Sequence, residues 1–275
     1  MIRVVQISDT HLSPTKRHFH GNWEPVKAWL AQQKPDFIIH GGDITVDAAD
    51  QEEDAAYCAA LLKELGVPVL AVPGNHDVGE AGNVFQPPSS ERNARFRYHF
   101  GPDRWLRDVE GWRLIGFNTM LLGSGERDEA LQSEWLKGAM AGANGRKIAW
   151  FTHRPLFIES PQEGDTGYWS VKPDQRAELY KLMRDHPVAI VSTGHLHRWH
   201  DMTLDGTRYI WAPSTGFLVG EDQHPPTGGS ARLGAVVYDI DGASINAAIV
   251  PVPNLTDYWI DDVIHEVYPP RDPKA

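Results

Sequence analysis

Cysteine is nearly absent, with Cys58 the one example in 275 residues. An intramolecular disulfide framework is therefore excluded, and a reducing compartment fits. Long apolar runs are also missing, and none reaches the ~18 residues of a membrane span. The opening residues Met1 to Ile7 read directly as a strand, without the charged start, apolar stretch and small-residue cleavage site of a secretion signal. A cytoplasmic protein with no membrane contact is the expectation. Positive charge is scarce too. The chain carries 26 Lys and Arg against 37 Asp and Glu, a formal net charge of -11, which argues against nucleic acid as a partner. Neither a G-x-S-x-G elbow nor a Walker A loop occurs. Gly123-Ser124-Gly125 is only a turn signal, and Cys58 lies within an amphipathic helical pattern rather than beside a base. Self-association is left open.

Apolar residues and histidine are plentiful. The chain is 41% hydrophobic and 10% aromatic, enough for a sizeable core, and it holds 13 histidines. Histidine is the commonest metal ligand, so its positions matter more than its number.

Short apolar runs alternate with helical patterns through the first half. Val4 to Ile7 is a strand, and Val26, Trp29 and Leu30 mark a helix face that ends near Lys34-Pro35. Phe37 to Ile39 is a buried strand, a helix spans about Asp50 to Leu65 with Gly66 beyond its end, and Val69 to Val72 is the next strand. This βαβαβ order predicts an α/β fold with a mostly parallel sheet. Residues 79–108 lose periodicity and read as an irregular insert. Further strands are expected at Trp112 to Phe117, Ile148 to Phe151 and Val188 to Ser192, with helices near Asp128 to Met140 and Pro173 to Asp185. A second irregular, aromatic insert spans 158–172. Beyond His200, Asp205-Gly206 and Asp241-Gly242 between alternating runs signal hairpins. The reading is one domain over residues 1–265 and a loose tail over 266–275.

The chemistry lies at the C-terminal end of each strand. Val4 to Ile7 leads to Asp9-x-His11, Phe37 to Ile39 to Gly42-Asp43, and Val69 to Val72 to Gly74-Asn75-His76-Asp77. Ile148 to Phe151 leads to Thr152-His153, and Val188 to Ser192 to Gly194-His195-Leu196-His197. Ligands of open α/β sheets bind at that edge. The donors are oxygens and imidazoles with no thiolate, a set suited to Mn, Fe, Zn or Co. Asp9, His11, Asp43, Asn75, His153, His195 and His197 make seven ligands, so one bridging carboxylate gives each of two metal ions four. Two such ions, ~3.5–4 Å apart, activate a bridging hydroxide and clamp phosphoryl oxygens. Their four positive charges exceed two carboxylates and one hydroxide, so the site stays cationic within an acidic protein.

These five blocks, in this order, resemble the signature of the calcineurin-like metallophosphoesterases over roughly residues 1–215. The resemblance implies a four-layer αββα sandwich of two mixed sheets flanked by helices. It implies that Asp9, His11, Asp43 and His197 hold one metal and Asp43, Asn75, His153 and His195 the other, with Asp43 bridging. His76 would be the catalytic general acid and Asp77 would orient its imidazole. Val46 stands where many members carry Asn or Asp, and Arg154 where some carry a second His; both bear on substrate choice. The D-T-H-L opening and G-H-L-H ending resemble bacterial class III cyclic-nucleotide and glycerophosphodiester phosphodiesterases. The H-R-P-L-F run at 153–157 resembles a branch of Ser/Thr phosphoprotein phosphatases. The implied activity is hydrolysis of a small phosphoester, a diester in preference to a monoester or phosphoprotein, with a non-catalytic scaffold as the remote alternative.

Other residues are weighed against plainer roles. Arg154 and His200 are candidate substrate contacts. Arg92, Arg95 and Arg97 either reach a phosphate or belong to a solvated charged stretch, and Tyr168 and Trp169 either stack on a base or sit under a lid. His40 reads as a strand-end residue rather than a ligand, and Glu52-Glu53-Asp54 as a solvated helix face.

Overall fold

Alternation along the first strands decides which way each side chain turns. In β1 (Ile2–Ile7), Val4 and Gln6 face one side and Val5 and Ile7 the other; in β2 (Phe37–His40), Phe37 and Ile39 share a side opposed to Ile38. The parallel register sets Val4 beside Phe37 and Gln6 beside Ile39. Both faces are apolar, so the sheet is covered twice. The structure is a computed structural model, described here for residues 1–225 and 227–271.

Two mixed sheets pack face to face. The first has the order β11-β10-β1-β2-β3, adding β3 (Val69–Ala71), β10 (Ala235–Asp241) and β11 (Ser244–Val250). The second has the order β4-β5-β6-β7-β9-β8, from β4 (Trp105–Val109), β5 (Trp112–Gly116), β6 (Lys147–Thr152), β7 (Val188–Thr193), β8 (His200–Leu204) and β9 (Thr207–Trp211). Val4, Phe37, Ile39 and Val236 of one sheet meet Trp105, Leu114, Phe151 and Ile210 of the other in a shared core. On the outer face of the first sheet lie α1 (Trp23–Gln33), α2 (Glu52–Lys63) and, through Phe96, α4 (Ser90–Phe100). On the outer face of the second lie α5 (Arg127–Ala141) and α6 (Pro173–Asp185). This is the four-layer αββα sandwich. Between α2 and α4 the four-residue α3 (Asn75–Val78) opens directly after β3, and α7 (Ile264–Val267) lies near the C-terminal end. No helix among the described residues is long and apolar enough to cross a membrane.

A polar group crosses the inter-sheet core close to the ligand-bearing edge. Gln6 Oε1 accepts from Ser192 Oγ at 2.7 Å and from Tyr238 Oη at 2.8 Å, tying β1 and β10 to β7. Buried polar groups that find partners favour one alignment of their elements over slipped ones.

Three expectations are corrected. Residues 79–108 are not irregular throughout: Ser89 caps α4 by accepting from Arg92 N at 3.2 Å, and β4 comes next. Only Asn93 and Phe96 of α4 are buried, so its apolar period is faint. The tail is not loose as far as residue 271. Val267 is fully buried, and Arg271 bonds Asp50 at 2.6 Å and Asp47 at 3.3 Å; residues 272–275 lie outside the described residues. Asp54 is not solvated, for its carboxylate accepts from Ser13 Oγ at 2.8 Å and Asp47 N at 3.0 Å.

Trp150, wholly buried between β6 and the α5–α6 layer, is expected to cost ~3–5 kcal/mol when changed to Ala. Tyr238→Phe, which removes only the hydroxyl of the inter-sheet bridge, is expected to cost ~1 kcal/mol. Chemical denaturation of the metal-free protein measures both.

Candidate metal centre

The loops after β1, β2, β3, β6 and β7 meet at one edge of the sandwich and are tied there by backbone bonds. Asp9 N donates to Gly42 O at 3.0 Å, His11 N to Asp43 O at 3.1 Å, and Gly194 N to His153 O at 3.0 Å. Five of the seven candidate ligands hold a left-handed backbone: Asp9 (φ 53°), His11 (44°), Asp43 (50°), His195 (72°) and His197 (53°). That region costs a non-glycine residue ~1–3 kcal/mol and persists where the surroundings enforce it. Here it turns each side chain back across the strand end. Two motif glycines allow the close approach. A Cβ on Gly74 would lie 2.0 Å from Asp43 Oδ1, and one on Gly194 2.6 Å from Asp9 Oδ2.

The side chains converge. His11 Nε2 is 3.3 Å from His197 Nε2 and 3.8 Å from Asp43 Oδ2; His197 Nε2 is 3.4 Å from Asp9 Oδ1. On the other side, His153 Nε2 lies 3.2 Å from Asp43 Oδ2, 3.3 Å from Asn75 Oδ1 and 3.2 Å from His195 Nδ1. Asp9, His11 and His197 form one set of ligand atoms mutually within 4.8 Å, and Asp43, His153 and His195 another. Asp43 stands between them, as a bridge must.

The outer nitrogens test whether metal fits. His153 Nδ1 donates to Gly41 O at 2.8 Å, His195 Nε2 to Tyr168 O at 3.0 Å, and His197 Nδ1 to Phe217 O at 2.8 Å. His11 Nδ1 is 2.6 Å from Tyr268 Oη. With the outer nitrogen protonated on an oxygen, each ring turns an inner lone pair toward the others, the arrangement of metal-bound imidazoles. Burial, reinforced for both by His153, holds His11 and His195 well below their ordinary pKa. Burial pushes Asp43 up, but His153 and His76 outweigh it and hold the carboxyl well below the usual range. Burial lowers His153 as well, yet Asp43 overcomes that and raises it to about 9. The bare constellation thus recruits a proton where a cation belongs, and the residues fit two metal ions.

The remaining candidates divide between the site and its supports. His76 is partly exposed beside the ligands, its backbone N–H on Asp43 Oδ1 at 2.9 Å and its Nδ1 3.1 Å from Val46 O. Asp77 does not orient that imidazole, which is a correction. Its carboxylate accepts from Ile44 N (3.2 Å), Thr45 N (3.1 Å), Thr45 Oγ1 (2.9 Å) and Gly74 N (2.9 Å). It clamps the loop after β2 to the loop after β3, and the Val46 carbonyl aims His76 instead. Burial, then the Asp43 charge, raises Asp77 to about 7 against the hydrogen bonds from Gly74, the Thr45 hydroxyl and Ile44. Arg154 does not line the substrate pocket: its guanidinium pairs with Glu80 and lies 6.0 Å from the centre of the Tyr168 ring that walls it. His200 opens β8 and packs on Trp211 at 4.5 Å, also outside the pocket. Arg92, Arg95 and Arg97 bond the carbonyls of Ala48 and Ala49 or nearby carboxylates, and none of them lines the pocket. His40 is a buried strand-end residue: Gly42 N donates to its Nδ1 at 3.3 Å, so Nε2–H points to Thr10 Oγ1 at 3.1 Å.

Three positions carry weight that their place in the sequence does not signal. Tyr168 holds His195 through its carbonyl and receives Asn75 Nδ2 on its hydroxyl at 3.4 Å, turning Asn75 Oδ1 inward. Phe217 O and Tyr268 Oη hold His197 and His11. A pocket of about 240 Å³ opens over the ligands, walled by Tyr168, Trp169, Phe217, Ile260, Ile264 and Tyr268.

The sequence profile of the calcineurin-like phosphoesterases matches residues 2–199. The chain belongs to that family. Among curated members, human serine/threonine-protein phosphatase CPPED1 is 26% identical over 203 residues, 70% of this chain. The chain spans 62% of that relative's length. The 3',5'-cyclic adenosine monophosphate phosphodiesterase CpdA of Escherichia coli K12 is 28% identical over 228 residues, 78% of this chain and 76% of the relative. Among solved structures, a dimetal phosphatase from Danio rerio shares the fold with a TM-score of 0.59 at 13% identity, covering 91% of this chain and 99% of the other. GAP50, the anchor in the inner membrane complex of Plasmodium, superposes with a TM-score of 0.66 at 16% identity, over 93% and 86% of the two chains.

Asp43→Asn replaces the shared carboxylate, and the expected result is loss of bound metal and of turnover together; metal content after gel filtration of a metal-reconstituted sample measures the first. Gly74→Ala forces a methyl onto Asp43 and is expected to have the same effect on metal content.

Proposed function

We propose that this chain is a phosphodiesterase acting on small phosphodiesters in a two-metal site. The composition of the pocket carries the reading. Its lining supplies histidines, Asp43, aromatic and aliphatic side chains and Gln223, with no Lys or Arg among the described residues. A phosphomonoester brings ≈ −1.5 to −2 charges at neutral pH, whereas a diester brings one negative charge and a second ester group. The apolar wall of Phe217, Ile260 and Ile264 suits that second group better than a second charge. The likeness to CpdA points the same way and suggests cyclic nucleotides, with glycerophosphodiesters as the other small diesters to try. Cys58 is a free, buried thiol, consistent with the cytoplasmic location this reading assigns.

When bound, two divalent ions supply Lewis acidity to the phosphoryl oxygens and activate water. The chain does the rest. Asp43, held by the His76 backbone N–H, keeps the two halves of the site at a fixed separation. His76 keeps Nδ1–H on the Val46 carbonyl, so Nε2 is free to face the pocket. As the imidazolium it gives its Nε2 proton to the departing ester oxygen, which leaves as a neutral alcohol, and it regains a proton from solvent. The apolar walls limit competing water around the phosphorus.

Dephosphorylation of a phosphoprotein is the second reading, supported by CPPED1 relatives at 26–29% identity. The likeness to GAP50 is one of fold alone, and a scaffold would turn over neither ester class. Mn-reconstituted protein is expected to hydrolyse bis(p-nitrophenyl) phosphate with higher kcat/KM than p-nitrophenyl phosphate or a phosphoserine peptide. A monoester or peptide preference would overturn the diester reading. His76→Ala is expected to lower kcat by ~10²–10⁴-fold with bound metal retained.

A further inference from the structure

The four ligand imidazoles are not held alike. His153, His195 and His197 rest their outer nitrogens on the backbone carbonyls of Gly41, Tyr168 and Phe217. His11 rests on a side chain, Tyr268, from 257 residues further along the chain. Its Nε2 faces His197 and Asp43, so Nδ1 carries the proton and donates to Tyr268 Oη at 2.6 Å. The Tyr268 ring also lies 4.4 Å from the His76 ring and forms part of the pocket wall.

The segment that delivers Tyr268 is anchored independently of that contact. Val267 is buried against Phe19, Val46, Phe217 and Ile260. Lys16 Nζ donates to Val267 O, and the Arg271 guanidinium bonds both Asp47 and Asp50. Asp47 and Asp50 lie shortly after Asp43 in sequence, so the segment is fastened to the same loop that carries the bridging ligand.

We propose that Tyr268 is a positioning residue of the metal centre: its hydroxyl fixes the His11 imidazole as a ligand, and its ring holds His76 toward the substrate. The proposal rests on the two-metal reading of the site. Outer partners of ligand histidines, when removed, cost ~10–100-fold in metal affinity or activity. The backbone carbonyls behind the other three rings cannot be deleted by substitution, whereas this partner can.

Three variants divide the claim: Tyr268→Phe removes the hydroxyl and keeps the ring, Tyr268→Ala removes both, and Arg271→Ala loosens the anchor without touching the site. Calorimetric titration of chelator-stripped protein with Mn²⁺ reads each metal separately, and the melting temperature of the stripped protein reads the fold. In Tyr268→Phe, one of the two Mn²⁺ affinities is expected to fall ~10–100-fold while the other and the metal-free melting temperature hold. In Tyr268→Ala, kcat on bis(p-nitrophenyl) phosphate at saturating Mn²⁺ is expected to fall as well. Arg271→Ala is expected to weaken the same Mn²⁺ site by a smaller factor. Wild-type affinity for both ions and wild-type kcat in Tyr268→Phe and Tyr268→Ala would overturn the inference and leave the metal reading intact. Equal weakening of both sites, or a lowered metal-free melting temperature in Tyr268→Phe, would reduce Tyr268 to a packing residue and also overturn it. Wild-type protein that takes up no Mn²⁺ would overturn the metal reading, and this inference with it.

Discussion

The inner lone pairs of His11 and His197 face one another at 3.3 Å and repel, and the rings stay together here because each is gripped from behind. Three backbone carbonyls and one phenol take the outer N–H groups, which fixes both the ring planes and the protonated nitrogen. What remains in the centre is a cluster of donors and carboxylates with a deficit of positive charge. Two divalent ions, when bound, would relieve that deficit and make the site locally cationic within an acidic protein. The left-handed backbone at Asp9, His11, Asp43, His195 and His197 is the local strain that this convergence requires.

Holding the rings from behind depends in turn on the sandwich. Gly41 follows β2, Phe217 follows β9, and Tyr168 and Tyr268 come from a loop and a terminal segment. They reach the same few ångströms only because the two sheets pack in one alignment, which the shared apolar core and the Gln6–Ser192–Tyr238 bridge maintain. Glu163 shows how the loop part is built without regular structure. Its carboxylate accepts from the backbone of Ile158 and Glu159 and from Ser170 and Arg176, shaping the segment that presents Tyr168.

Pocket and metal cluster serve different ends. The cluster holds charge, while the walls built by Tyr168, Trp169, Phe217, Ile260, Ile264 and Tyr268 are apolar or aromatic. Arg154 and Arg198, each next to a candidate ligand histidine in sequence, pair with Glu80 and Glu221, and Arg92 and Arg95 bond carbonyls and carboxylates beside α4. Under the proposed function, charge for the substrate would come from the bound metal ions, and discrimination from the shape of those walls.

The convergence of the seven candidate donors was legible before folding because its logic is local. Each donor comes one to four residues after a buried strand, and glycines sit where the backbone must approach a carboxylate, as Gly74 does to Asp43. The α/β class was legible from strand and helix patterns and the two-sheet sandwich only through the family resemblance, while α4 buries too few residues to leave a period. The roles of Asp77, Arg154, His200 and Tyr268 were not legible. A carboxylate next to a histidine in sequence can turn to either side, and Asp77 turns to backbone amides. A tail rich in proline and charge looks solvated until Val267 finds Phe19 and Phe217, and Arg271 finds Asp47 and Asp50. Strand-end position, a property of neighbours in the chain, let the sequence alone determine the α/β class and the seven candidate donors that converge at one edge. Which oxygen grips each imidazole, and which side chains wall the pocket, was decided by tertiary structure, because those partners lie as far as 257 residues away and meet only when the two sheets close.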